Sequence, residues 1–230
     1  MRALLIAAAI VMAASSTAMS QEYHWTGLYG GASVGYGWGD ATVTDNAKDG
    51  VNPGPFGYSP DGVLAGGTLG YNLQLDRVVL GIEGDIGYMD VAGSGIIGST
   101  HADHHQDLTL DGGAYGDITG RAGIALGRAL VYGKGGLAFY SGEASQATTN
   151  PGYAPTGTDT FTGWVAGGGI EYALTESLSI KAEYLHFDFG DQDAYQTSLV
   201  ADDPTPAGYK FHNTTDLNVD TVKFGINYHF

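Results

Sequence analysis

Residues 221–230 read TVKFGINYHF. In an extended chain Val222, Phe224, Ile226, Tyr228 and Phe230 fall on one side, and Thr221, Lys223, Gly225, Asn227 and His229 on the other. This period-two alternation places a strand between two unlike environments. Free termini fray, so a terminal segment patterned this well is expected to pair with another strand.

The same alternation recurs upstream. Leu28, Ala32, Val34, Tyr36 and Trp38 oppose Tyr29, Gly31, Ser33, Gly35 and Gly37 in a first strand. Val63 to Leu75 and Val78 to Tyr88 form a tight hairpin about Asp76-Arg77, and Ile118 to Leu126 and Val131 to Phe139 form a second about Gly127-Arg128. Trp164 to Leu174 and Leu178 to Tyr184 make a third pair about Thr175-Glu176-Ser177. The connections 41–61, 91–110, 142–160 and 190–215 are long and rich in Asp, Gly, Pro, Asn and Thr. The expectation is an all-β, eight-stranded antiparallel up-and-down barrel, with short turns at one end and four long loops at the other.

Alternation alone does not say which face is outside, since a soluble barrel with an oily interior gives the same pattern as a membrane barrel with an oily exterior. The polar face decides it. That face carries Glu83, Asp85, Asp117, Glu171 and Glu183 beside Arg121, Lys134, Lys181 and Lys223, mixed with many glycines. So near a balance, in a chain of formal net charge −16, suits an interior where charges must be paired. The apolar face carries Tyr36, Trp38, Tyr88, Trp164 and Tyr184 toward the long loops, and Tyr71, Tyr172, Tyr228 and Phe230 toward the short turns. Two aromatic belts with Ala, Val, Ile and Leu between them fit the girdles of a transmembrane barrel with the apolar face on lipid.

Residues 1–20 read separately: Arg2, an apolar run from Ala3 to Ala14 and the small residues Ala18 and Ser20 are expected to form a cleaved secretory signal, leaving 21–230 as the barrel domain. Without Arg2 the chain keeps eight Lys+Arg against 25 Asp+Glu, a net charge of −17, which argues against nucleic acid as a partner. No cysteine is present, so neither disulfides nor thiolate metal sites contribute. Glycine is abundant, with 38 in 230 residues, but interleaved with Val, Ile, Leu and Tyr at strand spacing rather than gathered in linkers.

Several motifs together carry a resemblance: WTGLYGG from Trp25, VGYGWG in the first strand, LVYGKGGLAF in the fifth, IEYALTESLSIKAEYLHFDFG across the sixth and seventh, and the final Tyr-x-Phe. They resemble the alphaproteobacterial small outer-membrane β-barrel family, the opacity-like surface antigens and porin-family proteins. The resemblance implies a bacterial outer-membrane location and export through periplasmic chaperones. It also implies that Tyr228 and Phe230 act as the signal read by the barrel-assembly machinery. It carries no catalytic residues and no cofactor.

An eight-stranded barrel is just wide enough for its own side chains to fill. The expected function is therefore structural, in the envelope, with acidic loops presented outside as a surface antigen. The alternative is a narrow porin for ions or small solutes, gated through the Arg121/Lys134 and Glu83/Glu171 charges. A further alternative is binding of a metal, ligand or host surface by the loops; His101, His104 and His105 beside Asp103 and Asp107 are the candidate metal ligands. The loop acids Asp191, Asp193, Asp202 and Asp203 suggest cation bridging to lipopolysaccharide, beside ordinary contact with outer-membrane lipid. His186 with Asp188 is the one candidate for lipid-side catalysis, and lacks an evident serine partner.

Overall fold

The computed structural model describes residues 23–45, 55–98, 105–148, 156–158, 160–196 and 211–230. The expected signal 1–20, His101, His104, Asp202 and Asp203 lie outside these residues. Ten strands are described: β1 (Gly27–Asp45), β2 (Pro55–Tyr58), β3 (Asp61–Leu75), β4 (Val78–Gly98), β5 (His105–Leu126), β6 (Ala129–Thr148), β7 (Thr156–Thr158), β8 (Phe161–Ala173), β9 (Leu178–Gln196) and β10 (Phe211–His229). Eight of them, all but β2 and β7, form an antiparallel meander. The meander closes where β10 pairs with β1 from Tyr29↔His229 to Asp45↔Asn213. Closure leaves no free edge on the wall, the condition for a sheet to sit in lipid. The stretch 221–230 is half of that seam.

Short turns lie at one end. Asp76 takes a φ of 56°, a left-handed conformation that Asp tolerates better than most residues, and Gly127 takes a φ of 65°. Thr175 Oγ1 accepts the backbone N–H groups of Ser177 at 3.2 Å and Leu178 at 3.0 Å, which tightens the third turn.

At the other end the strands run on into the segments expected to be loops. Ala41 to Asp45, Val91 to Gly98, His105 to Leu110, Gly142 to Thr148, Gly190 to Gln196 and Phe211 to Thr215 are strand. The short β2 and β7 add onto β1 and β6 within the same segments. The connections expected at 41–61, 91–110, 142–160 and 190–215 are therefore partly strand, and their bounds are corrected to that extent. A change of polarity is the reason. Below Trp38 the outward side chains are apolar: Val34 is 63 % exposed, Ile82 68 %, Ile118 67 % and Phe224 61 %. Beyond it Asp40, Asp61, Asp90 and Asp111 point outward, while Leu64, Met89, Val91, Leu185, Phe187, Leu217 and Val219 point in. A wall standing in water needs the opposite alternation to one standing in lipid, and each strand switches where it leaves the apolar band. The outward apolar run from Leu28 to Trp38 matches the about 9–11 residues a strand needs to cross a bilayer. Register shifts near the far rim, at Met89/Gly93, Asp111/Ala114 and Asp216/Asn218, lie beyond that band.

Candidate functional site

The interior is filled in three layers. The middle one gathers Glu83 and Asp85 from β4, Asp117 and Arg121 from β5, Lys134 from β6, Glu171 from β8, Lys181 and Glu183 from β9 and Lys223 from β10. All nine are buried. Cross-strand register sets them side by side: Asp85 opposite Asp117, Arg121 opposite Lys134, Glu171 opposite Lys181, and Glu183 opposite Lys223.

Glu83 sits at the centre. Its carboxylate accepts hydrogen bonds from Tyr29 Oη at 2.7 Å, Arg121 Nη1 at 3.1 Å and Lys134 Nζ at 2.5 Å. Lys134 Nζ also donates to Asp85 at 2.8 Å and lies 3.5 Å from Glu183. Asp85 takes a further bond from the Thr68 hydroxyl and an ion pair with Lys223 at 3.3 Å. The Arg121 guanidinium lies over two rings, 4.8 Å from the centroid of Tyr29 and 4.6 Å from that of Tyr132, and its other arm reaches Glu171 at 3.0 Å. Glu171 is further held by Ser179 at 2.5 Å, Asn227 at 2.8 Å and His229 at 3.3 Å. Lys181 lies 3.3 Å from Glu183, which also accepts from Tyr132 Oη at 2.8 Å. Glycines make the space: a Cβ on Gly70 would collide with the Tyr29 ring, and one on Gly225 would lie 3.1 Å from Lys181 Cγ.

An apolar layer closes each side of these charges. At the short-turn end Tyr23 and Trp25 fold inward beneath the barrel, against Val79, Ala125, Leu130, Tyr132 and Ala173. Trp25 N donates to Gln74 Oε1 at 2.8 Å, and the Tyr23 and Trp25 rings meet edge to face at 4.7 Å. At the far end Tyr115, Tyr140, Phe161, Phe187 and Phe189 pack with the inward aliphatics of the extended wall. Ring centroids there stand 5.8 to 6.4 Å apart. Neither plug was expected. The far one is announced by Leu185, Phe187 and Phe189, where the apolar positions switch from the even numbers of Leu178, Ile180, Ala182 and Tyr184 to odd ones, leaving His186 and Asp188 on the other face. The near one is announced by two aromatics two residues apart, just before the first strand.

The girdle candidates Tyr36, Trp38, Tyr71, Tyr88, Trp164, Tyr172 and Tyr184 all project outward between 42 and 55 % exposed, with Tyr228 and Phe230 beside the short turns. Tyr228 and Phe230 touch edge to face at 5.0 Å, and Phe230 N bonds Leu28 O at 3.0 Å across the seam. At the outer belt Tyr184 Oη donates to Asp220 at 2.6 Å, and His186 Nδ1 lies 2.8 Å from the same carboxylate. His186 therefore pairs with Asp220 and not with Asp188, which accepts from Gly190 N at 2.9 Å. Strand pairing places Asp220 opposite His186, whereas Asp188 is two residues along the same face, nearer the rim. Partial burial and the nearby Asp191 and Asp188 raise the Asp216 carboxyl above the usual range. His105 opens β5. Among the described residues no three His, Asp or Glu side chains converge on a metal-sized site.

The chain matches the family model of the outer membrane protein beta-barrel domain over residues 4–230. It is 31% identical to the 31 kDa outer-membrane immunogenic protein of Brucella melitensis over 94% of this chain and 88% of that protein. It is 27% identical to the 25 kDa outer-membrane immunogenic protein of Brucella abortus over 92% of this chain and 82% of that one. Among solved structures the outer membrane protease OmpT from Escherichia coli shares the fold, with a TM-score of 0.51 at 9% identity, covering 92% of this chain and 99% of that one.

Proposed function

The chain belongs to the outer membrane protein beta-barrel domain family, among its small alphaproteobacterial members, and lies in the outer membrane; on that premise we propose that it is a non-conducting envelope barrel whose working surface is its outer wall and loops. The observation that carries this reading is the sealing of the charged layer by an apolar layer on each side. Ions cross a barrel only along continuous polar or wetted surface, and two apolar clusters interrupt it. The names of the Brucella relatives, which call them immunogenic, support exposure of the far end at the cell surface.

In this orientation the short turns and both termini face the periplasm, and the wall beyond Trp38 rises through the lipopolysaccharide headgroups. Its partners are then outer-membrane lipid and lipopolysaccharide, the chaperones and assembly machinery that would read Tyr228 and Phe230, and any host or cell-surface ligand that the loops engage. Catalysis is not part of the proposal: the His186–Asp220 pair has Tyr184 as its neighbour and no serine in contact among the described residues. The test is conductance of the refolded mature protein in a planar bilayer. The native barrel is expected to be silent, as is an Arg121→Ser/Lys134→Ser variant that leaves both apolar layers intact. Steady conductance by the native protein would refute the sealed lumen and make the narrow porin the primary reading.

A further inference from the structure

The middle layer holds five acids and four bases, and the odd member is not distributed over the layer but resides on one residue. Glu83, Asp85, Glu171 and Glu183 each have at least one cation within 4 Å and a hydroxyl donor besides. Asp117, 2 % exposed, has neither: both carboxylate oxygens are buried without a hydrogen-bond partner, and among the described residues no ion pair reaches it. The four bases each lie within 4 Å of two or more of the other acids, Lys223 Nζ at 3.3 Å from Asp85 and 3.7 Å from Glu183 without a hydrogen bond to either. Arg121 holds Glu83 and Glu171; Lys134 holds Glu83, Asp85 and Glu183; Lys181 holds Glu83 and Glu183; Lys223 holds Asp85 and Glu183. His229, the remaining basic ring, is spent on Glu171 and Ser179 at the short-turn side.

The surroundings make the deficit sharper. Asp117 faces Asp85 directly across the β4–β5 register and Ala138 across the β5–β6 register. Charged groups that act on it are Lys134 from β6, Asp85 and Glu83 from β4, and Lys223 from β10. On its own strand Tyr115 and Thr119 flank it on the same face, with Arg121 one position further; the Thr119 hydroxyl donates to Glu83 O at 3.3 Å, and the Tyr115 hydroxyl also lacks a partner. A buried carboxylate with no donor is not a stable resting state, so a positive charge from outside the chain must accompany it.

We propose that Asp117 binds one exogenous monocation in the sealed lumen, a proton or an alkali ion. This goes beyond the envelope reading and stands whether or not the barrel conducts. Both sources supply the same missing quantity, one positive charge beside Asp117. They differ in what they need from the wall: an alkali ion needs several oxygen ligands, whereas the strand carbonyls here are committed to the ladder, and a proton needs the carboxyl alone.

The test uses the mature protein refolded into lipid vesicles at pH 7. The infrared stretching band of a protonated carboxyl is recorded in native protein and in Asp117→Asn, with Asp117→Ser in reserve should the first variant not fold. Unfolding rates of native protein and variant are then compared in Na+, K+ and the bulky N-methylglucamine cation at equal ionic strength. A band present in native protein and lost in the variant identifies the cation as a proton. Absence of the band, with native unfolding at least tenfold slower in Na+ or K+ than in N-methylglucamine and a variant indifferent to the cation, identifies it as an alkali ion. Absence of both a variant-sensitive band and a variant-sensitive cation dependence would overturn the proposal.

Discussion

Lys134→Met is the most informative single change in the lumen. The methionine roughly matches the lysine stem and deletes only the ammonium, which in the native barrel touches Glu83 at 2.5 Å, Asp85 at 2.8 Å and Glu183 at 3.5 Å with all four side chains essentially inaccessible. Removing one partner of a buried ionic cluster costs about 3–5 kcal/mol, because the acids stay buried with fewer donors. A urea m-value of about 2–3 kcal/mol/M turns that loss into a midpoint lower by about 1–2.5 M. The assay is urea unfolding in vesicles, read by the electrophoretic shift between folded and unfolded barrel. Glu83→Gln should also destabilise, since it leaves Arg121 and Lys181 short of a counter-charge. The double variant removes a charge of each sign, so its loss should fall short of the summed single losses by about 2 kcal/mol or more. Neighbouring sites couple by about 0.5–3 kcal/mol, whereas independent sites add within about 0.5 kcal/mol. Simple additivity, or an unshifted Lys134→Met midpoint, would refute a shared buried layer.

The wall makes two further predictions. Ile118→Arg, at a position 67 % exposed within the apolar band, should destabilise the barrel in vesicles by about 2–4 kcal/mol, whereas Asp90→Arg, beyond the Tyr88 belt, should cost about 0–1 kcal/mol; equal costs in parallel urea titrations would misplace the lipid boundary. Asp216 holds its proton more tightly in the folded barrel than in the unfolded chain. Its stabilisation is therefore fully present below its ordinary value of about 4 and lost as pH rises through the raised folded value. Amide protection of the β9–β10 rim, corrected for intrinsic exchange, should decline over that window in native protein and stay level in Asp216→Asn; a decline shared by the variant would assign the effect to other acids.

Legibility in the sequence followed the solvent. Between Leu28 and Trp38, or Leu178 and Tyr184, lipid on one side and packed charges on the other force opposite chemistry onto alternate residues, so period two discloses both the strand and its inner face. Beyond the outer belt the same strands stand in water, apolar residues turn inward, and the outward positions fill with Asp, Asn and Thr. Composition there mimics loops, which is why 91–98 and 105–110 read as a connection although they are ladder-paired strand. Parity puts the nine charged residues on one face and their near balance points that face inward, yet the geometry does not follow: alternation gives a residue's face but not which of four lysine and arginine side chains reaches which acid. A one-dimensional pattern shows two aromatics, Tyr23 and Trp25, just ahead of the first strand, but not that they turn under the barrel to close it.

The reversal of polarity above the outer belt has a consequence for anything that meets the protein from outside. From Gly39 to Asp45 the wall of β1 continues about 15–20 Å past the belt at the usual strand rise and tilt. An approaching molecule therefore meets a stiff stem before it meets lipid. Side chains that are neighbours on that stem come from opposite ends of the chain: Asp40 of β1 stands in register with Asn218 of β10, and Trp38 with both Asp61 and Asp220. A binder raised against the folded stem would read a mosaic that no single peptide contains, and would lose its target on denaturation.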